Sequence, residues 1–132
     1  MNVPEQALAL TKVRAATRQT DEAIRAMQRG DLDIAITLAG AAEGMLKREG
    51  SHLFQFLRDS PKVAHLERKE WVAVLNRERD WLKHVEGADA IELNAREAAA
   101  MIARAASKLE EWTPLMECFK SWYLANFERL NS

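Results

Sequence analysis

Cysteine is nearly absent from this chain, and glycine and proline are scarce: one, five and three residues respectively among 132. With Cys118 alone, no disulfide can form within the chain and a four-cysteine zinc site is excluded. So few glycines and prolines supply little material for tight turns, which disfavours a many-stranded β fold and favours long helices. No apolar run approaches the roughly 20 residues that span a bilayer, so no membrane-spanning helix is expected. The opening MNVPEQALAL has no basic stretch followed by a long apolar one, and does not read as a secretory signal. A surplus of either charge is missing too. Nineteen basic and 20 acidic side chains leave a formal charge of −1, so no global field recruits DNA or a membrane surface. Any polyanion must be met by a local patch. The expected setting is the reducing cytoplasm.

What is present reads as helix throughout. The size fits one domain, residues 1–132, with a single core. Pro4 suits a first helical turn, and Leu10, Val13, Ala16, Ile24 and Met27 recur at helical spacing until Gly30. Asp31 is placed to cap a second helix running to about Glu49, with Ile34, Leu38, Ala41, Ala42, Met45 and Leu46 as its apolar set. Leu53, Phe54, Phe56 and Leu57 suggest a short helix that Asp59, Ser60 and Pro61 break. A charged helix follows from about Leu66 to Val85, its apolar stripe formed by Trp71, Val74, Leu75, Trp81, Leu82 and Val85. Asn94 with Glu97 matches a capping box opening an alanine-rich helix through Trp112. Thr113-Pro114 then starts a last helix whose aromatic residues read as core. The expected fold is all-α: an antiparallel helical bundle of four to five main helices plus one short helix.

Chemistry concentrates in NRERDWLKH, residues 76–84. Glu78 points into the apolar stripe and needs a partner, for which Arg14, Arg18 and Arg104 are the candidates. Arg77, Asp80 and His84 share the opposite side of the helix. Arg79 sits about 140° from His84 on an ideal helix, so the two can share a ligand only if the helix ends before Gly87 or a second subunit completes the site. On the second helix, Thr37, Gly40 and Gly44 form a smooth face, suited either to close packing within the chain or to a homodimer contact. Glycine costs roughly 1 kcal/mol in a helix interior, so some such use is required. His52, His65 and His84 lack metal-ligand spacing, so no metal and no cofactor is expected. His52 and His65 read as surface residues, and Cys118 as a small buried hydrophobe.

Arg79, Asp80 and His84, with Arg77 as an alternative arginine, resemble the motif of the HEPN superfamily: arginine, four to six residues, then histidine. DIAITLAGAAEGML resembles the alanine- and glycine-rich helix of uncharacterised bacterial relatives. The resemblance implies a small helical domain that pairs into a homodimer. In active members it implies metal-independent RNA cleavage in a cleft between protomers, as in the toxin half of a toxin–antitoxin pair. His84 would then be general acid or base, Arg79 would hold the scissile phosphate, and Asp80 would orient or tune. Two functions are carried forward. One is an interaction or ligand-binding module for a protein partner, a nucleotide or an RNA-like anion, with Asn76, Arg77 and Lys83 as binding residues. The other is the ribonuclease.

Overall fold

A computed structural model describes residues 1–47, 53, 58–61, 64, 65 and 67–132. It is all-α, with five helices and no strand among the described residues: α1 Lys12–Gln28, α2 Leu32–Met45, α3 Arg68–Trp81, α4 Ala95–Ser107 and α5 Pro114–Leu130. The short helix expected around residues 53–57 lies largely outside the described residues. Residues 1–10 are exposed and non-helical. α1 begins only at Lys12, where the Thr11 hydroxyl accepts from the Arg14 amide at 3.1 Å. A hydroxyl acceptor for a free first-turn amide starts a helix more effectively than Pro4 does.

Gly30 makes the turn between α1 and α2 at φ +84°, a conformation that side chains with a Cβ rarely adopt. Asp31 donates its amide to the Ala26 carbonyl at 2.9 Å, closing the end of α1. Asp31 occupies the N-cap position of α2, yet its side chain makes no capping hydrogen bond. The Asn94–Glu97 capping box is complete, each side chain bonded to the other's backbone amide. Thr113 caps α5 and also donates its hydroxyl to Asp21 at 2.7 Å, tying α5 to α1.

Alanine builds the core. Ala16, Ala23 and Ala26 of α1, Ala35, Ala39 and Ala42 of α2, and Ala98, Ala99, Ala105 and Ala106 of α4 are all buried. Small side chains let these helices approach closely, while Ile24, Ile36, Ile102 and Met116 fill the remaining space. The buried side of α2 is therefore Ala35, Ile36, Ala39, Gly40, Ala42 and Glu43. Of the expected set, Ala42 is buried and Leu38, Met45 and Leu46 pack partly buried against the core, while Ile34 and Ala41 are exposed. Close approach selects the small residues over the bulky ones.

α3 departs furthest from its expected form. It ends at Trp81, and Asn76 is its one buried residue among those described. Val74 and Val85 are 61% and 96% exposed, so the expected apolar stripe does not form a core face. α5 likewise buries only Met116 and Phe119, leaving Trp122, Leu124 and Phe127 exposed. Cys118 is exposed rather than buried. It lines a cleft of about 440 Å³ with Met27, Leu115 and Trp122.

Candidate functional site

A deeply buried carboxylate that the sequence did not single out lies at the centre of the bundle's charged groups. Glu43 is 3% exposed, on the inner side of α2. Arg104 of α4 reaches its Oε2 at 3.0 Å, Arg79 of α3 approaches the same oxygen at 3.5 Å, and Lys108 sits 3.3 Å from Oε1. Three cations thus converge on one anion from two other helices and the end of α4. Burial of an isolated carboxylate would be prohibitive, and this convergence makes it tolerable.

Each cation is also held by the backbone or by a second group. Arg104, itself 3% exposed, donates to the Leu75 carbonyl at 2.8 Å and to Asn76 Oδ1 at 2.9 Å. Desolvation holds its pKa below the ordinary guanidinium value; Glu43 opposes that shift and Arg79 adds to it. Lys108 donates to the Glu43 and Leu46 carbonyls at 3.0 and 3.1 Å, satisfying acceptors at the end of α2. Arg79 also pairs with Asp80 at 3.2 Å. Its aliphatic stem crosses α2 at Gly40, where a Cβ would lie 2.7 Å from the Arg79 Cγ. Gly40 is therefore occupied from within the chain, while Thr37 and Gly44 remain exposed.

On one flank of this network lies a cleft of about 470 Å³. Arg77, Arg79, Arg96 and Arg104 line it, against Glu78 and Glu97. Trp71, Val74, Ile36 and Met101 supply its apolar surface. The lining carries two more positive than negative side chains, the local patch that a near-neutral chain requires for anion binding. Arg77 and Arg96 are its most accessible cations, with side chains 68% and 49% exposed. Each pairs with the glutamate next to it in sequence: Arg77 with Glu78 at 2.6 Å and Arg96 with Glu97 at 3.4 Å. The Glu78 partner is thus Arg77, not Arg14, Arg18 or Arg104. The Arg77 pKa is raised, chiefly by its hydrogen bond to Glu78 and to a lesser degree by the nearby Glu97 charge.

The residues expected to act together are divided. Asn76 belongs to the buried Glu43–Arg104 network. Arg77 and Arg79 line the large cleft. Arg79 and Lys83 also line a smaller one, about 130 Å³, with Thr37, Gly40 and Ala41. His84 is exposed and lies beyond the end of α3, its amide bonded to the Asp80 carbonyl at 3.0 Å. The loop that carries it is pinned where the Trp81 indole donates to the Ala88 carbonyl at 2.7 Å. Arg96, Lys108 and Glu43 were not singled out in the sequence, because they lie on or at the end of helices that look like packing elements. Arg104 was expected to pair with a buried glutamate, but that glutamate is Glu43 rather than Glu78. The one available signal was Glu43 set among the small residues Ala39, Gly40, Ala41, Ala42 and Gly44 of α2.

No group of three or more His, Cys, Asp or Glu among the described residues could hold a metal ion, and no described helix is long and apolar enough to cross a membrane. No protein-family model, curated protein or solved structure matches this chain.

Proposed function

We propose that this chain is a ligand-binding helical bundle, HEPN-like in kind, that recognises a nucleotide-like anion in the cleft lined by Arg77, Arg79, Arg96 and Arg104. One observation carries the reading: four guanidinium groups and the Trp71 indole border a single cleft of about 470 Å³. That volume falls within the roughly 300–1,000 Å³ range of small-molecule sites. Arginine suits phosphate because its planar donors bind two oxygens at once. Arg77 and Arg96 act as the grasping pair, exchanging Glu78 and Glu97 for the ligand's oxygens. Arg104, held by Glu43, Asn76 and the Leu75 carbonyl, forms the fixed floor. The apolar wall beside Trp71 takes a base.

Titration calorimetry with adenosine 5′-monophosphate, inorganic phosphate and adenosine tests this. The monophosphate binds most tightly of the three, and Arg77→Gln/Arg96→Gln weakens it by about tenfold or more. Equal, negligible heats for wild type and variant contradict the reading. Self-association belongs to the same proposal, through the exposed Thr37 and Gly44 side of α2. Sizing chromatography should then give twice the 15.0 kDa chain mass.

A second reading, metal-independent RNA cleavage by Arg79 and His84, is favoured by the end of α3 at Trp81, which leaves His84 exposed just beyond the helix. RNA cleavage lost in both Arg79→Ala and His84→Ala supports it. No cleavage by the wild type, or cleavage retained by both variants, counts against it.

A further inference from the structure

A second basic surface lies on the far side of α2 from the cleft, and it stands independently of the cleft reading. Residues 12–29 carry five basic and two acidic side chains, a surplus of three in a chain whose total is −1. The excess is also sorted by direction. At about 100° per residue, Arg14, Arg18, Arg25 and Arg29 fall within an arc of roughly 60°, opposite the buried Ala16, Ala23 and Thr20 side of α1. All four are exposed.

Acids around this row are few and occupied. Glu22 pairs with Arg25 at 2.6 Å, Asp31 with Arg29 at 3.1 Å, and Asp21 accepts from Thr113. Among the described residues no ion pair engages Arg14 or Arg18. Beside the row, α1 and α2 enclose a groove of about 520 Å³ lined by Arg18, Arg25 and Arg29, by the engaged acids Asp21 and Glu22, and by Ile34 and Leu38. Ile34 and Leu38 lie about 180° around α2 from Ile36 of the first cleft, which separates the two surfaces.

We infer that this α1 face is a track for a single strand of nucleic acid, held through its phosphates. Four guanidinium groups in a line about 22 Å long match a linear polyanion better than a compact anion, which would engage one or two of them. The apolar shelf of Ile34 and Leu38 gives unstacked bases a surface that a paired duplex would not present. Binding through phosphates predicts little discrimination between RNA and DNA strands, and a strong dependence on salt.

The test is fluorescence anisotropy with a labelled 12-nucleotide oligouridine, read across ionic strength. Four phosphate contacts at roughly −0.7 each give a slope of log K against log salt of about −3 for the wild type. Arg14→Gln/Arg18→Gln should reduce the slope to about −1.4, since two contacts remain. Both arginines are exposed and neither is in an ion pair among the described residues, so the variant should keep the wild-type circular dichroism and melting curve. Arg77→Gln/Arg96→Gln should leave the slope unchanged, separating this track from the cleft. An oligodeoxyuridine of equal length should bind within a few fold of the RNA. Binding absent at low salt, or a slope indifferent to Arg14→Gln/Arg18→Gln, overturns the proposal. So does vesicle binding (phosphatidylserine-containing) that depends on these arginines while the oligonucleotide does not bind.

Discussion

Glu43 and Arg104 are each 3% exposed and lie 3.0 Å apart, so neither can lose the other without leaving a charge in the interior. Glu43→Gln should destabilise the fold by about 3–5 kcal/mol, because three cations lose their shared counter-charge. Glu43→Leu with Arg104→Met should cost less than Glu43→Leu alone, a coupling that urea denaturation of the two variants measures directly. Gly40→Ala tests the other end of the Arg79 clamp. Its added methyl would sit 2.7 Å from the Arg79 Cγ, so the stem must shift at a cost of about 1–3 kcal/mol, read from the same denaturation curves. Tyr123 offers a clean titration because it is the chain's single tyrosine. Burial raises its pKa above 10.0. The neutral phenol is therefore the form the fold favours. Its stabilisation is complete below pH 10 and is lost as pH rises from the unfolded pKa through the folded one. Absorbance near 295 nm should give a midpoint above 10 for the folded protein, returning to about 10 in urea.

Some helix boundaries were legible in the sequence because they depend on local chemistry, while the start expected near Pro4 and the stops expected at Val85 and Trp112 fall instead at Lys12, Trp81 and Ser107. Asn94 with Glu97, Thr113 with Pro114, and Gly30 act on backbone groups within a few residues. Asn94→Ala should accordingly cost about 1 kcal/mol, measurable as a fall in thermal midpoint. The phase of the buried sides was less legible. In α2, Ile34 is exposed and Leu38 only partly buried, while Ala35, Ala39 and Gly40 turn inward with Ile36, since small residues let α1 and α4 approach closely. α3 misled for a related reason. It meets the bundle chiefly through Arg79 on α2, so Val74 stays in solvent. Trp81 still has a structural use, holding the loop after α3 at Ala88. Cys118 and Trp122 were expected inside for their apolar character. α5 turns only its Met116 and Phe119 side to the core, leaving both exposed.

Across the whole molecule, the near-zero net charge conceals a division. An arginine row covers one side of α1, an arginine-lined cleft opens across α2 from it, and Glu43 ties three helices together between them. The all-α architecture followed from periodicity and from scarce turn residues. The candidate site followed only in part. Arg77, Arg79 and Asn76 lie in a visibly charged segment. Arg104 meets Glu43 across 61 positions of sequence, and Arg96 joins the cleft from the first turn of α4. Pairings at that separation are set by how helices dock, which one sequence does not display. The charge division should also appear in solution, with salt weakening oligonucleotide binding far more steeply than binding of a monophosphate.

The cleft is tested most directly by nuclear magnetic resonance of the uniformly ¹⁵N-labelled protein titrated with adenosine 5′-monophosphate, following arginine Nε–H and tryptophan indole signals. Saturable shifts at Trp71, Arg77 and Arg96, with Arg14 and Arg18 unmoved, are the expected result. Signals that stay still throughout the titration, or that move only on α1, would contradict nucleotide recognition by this cleft.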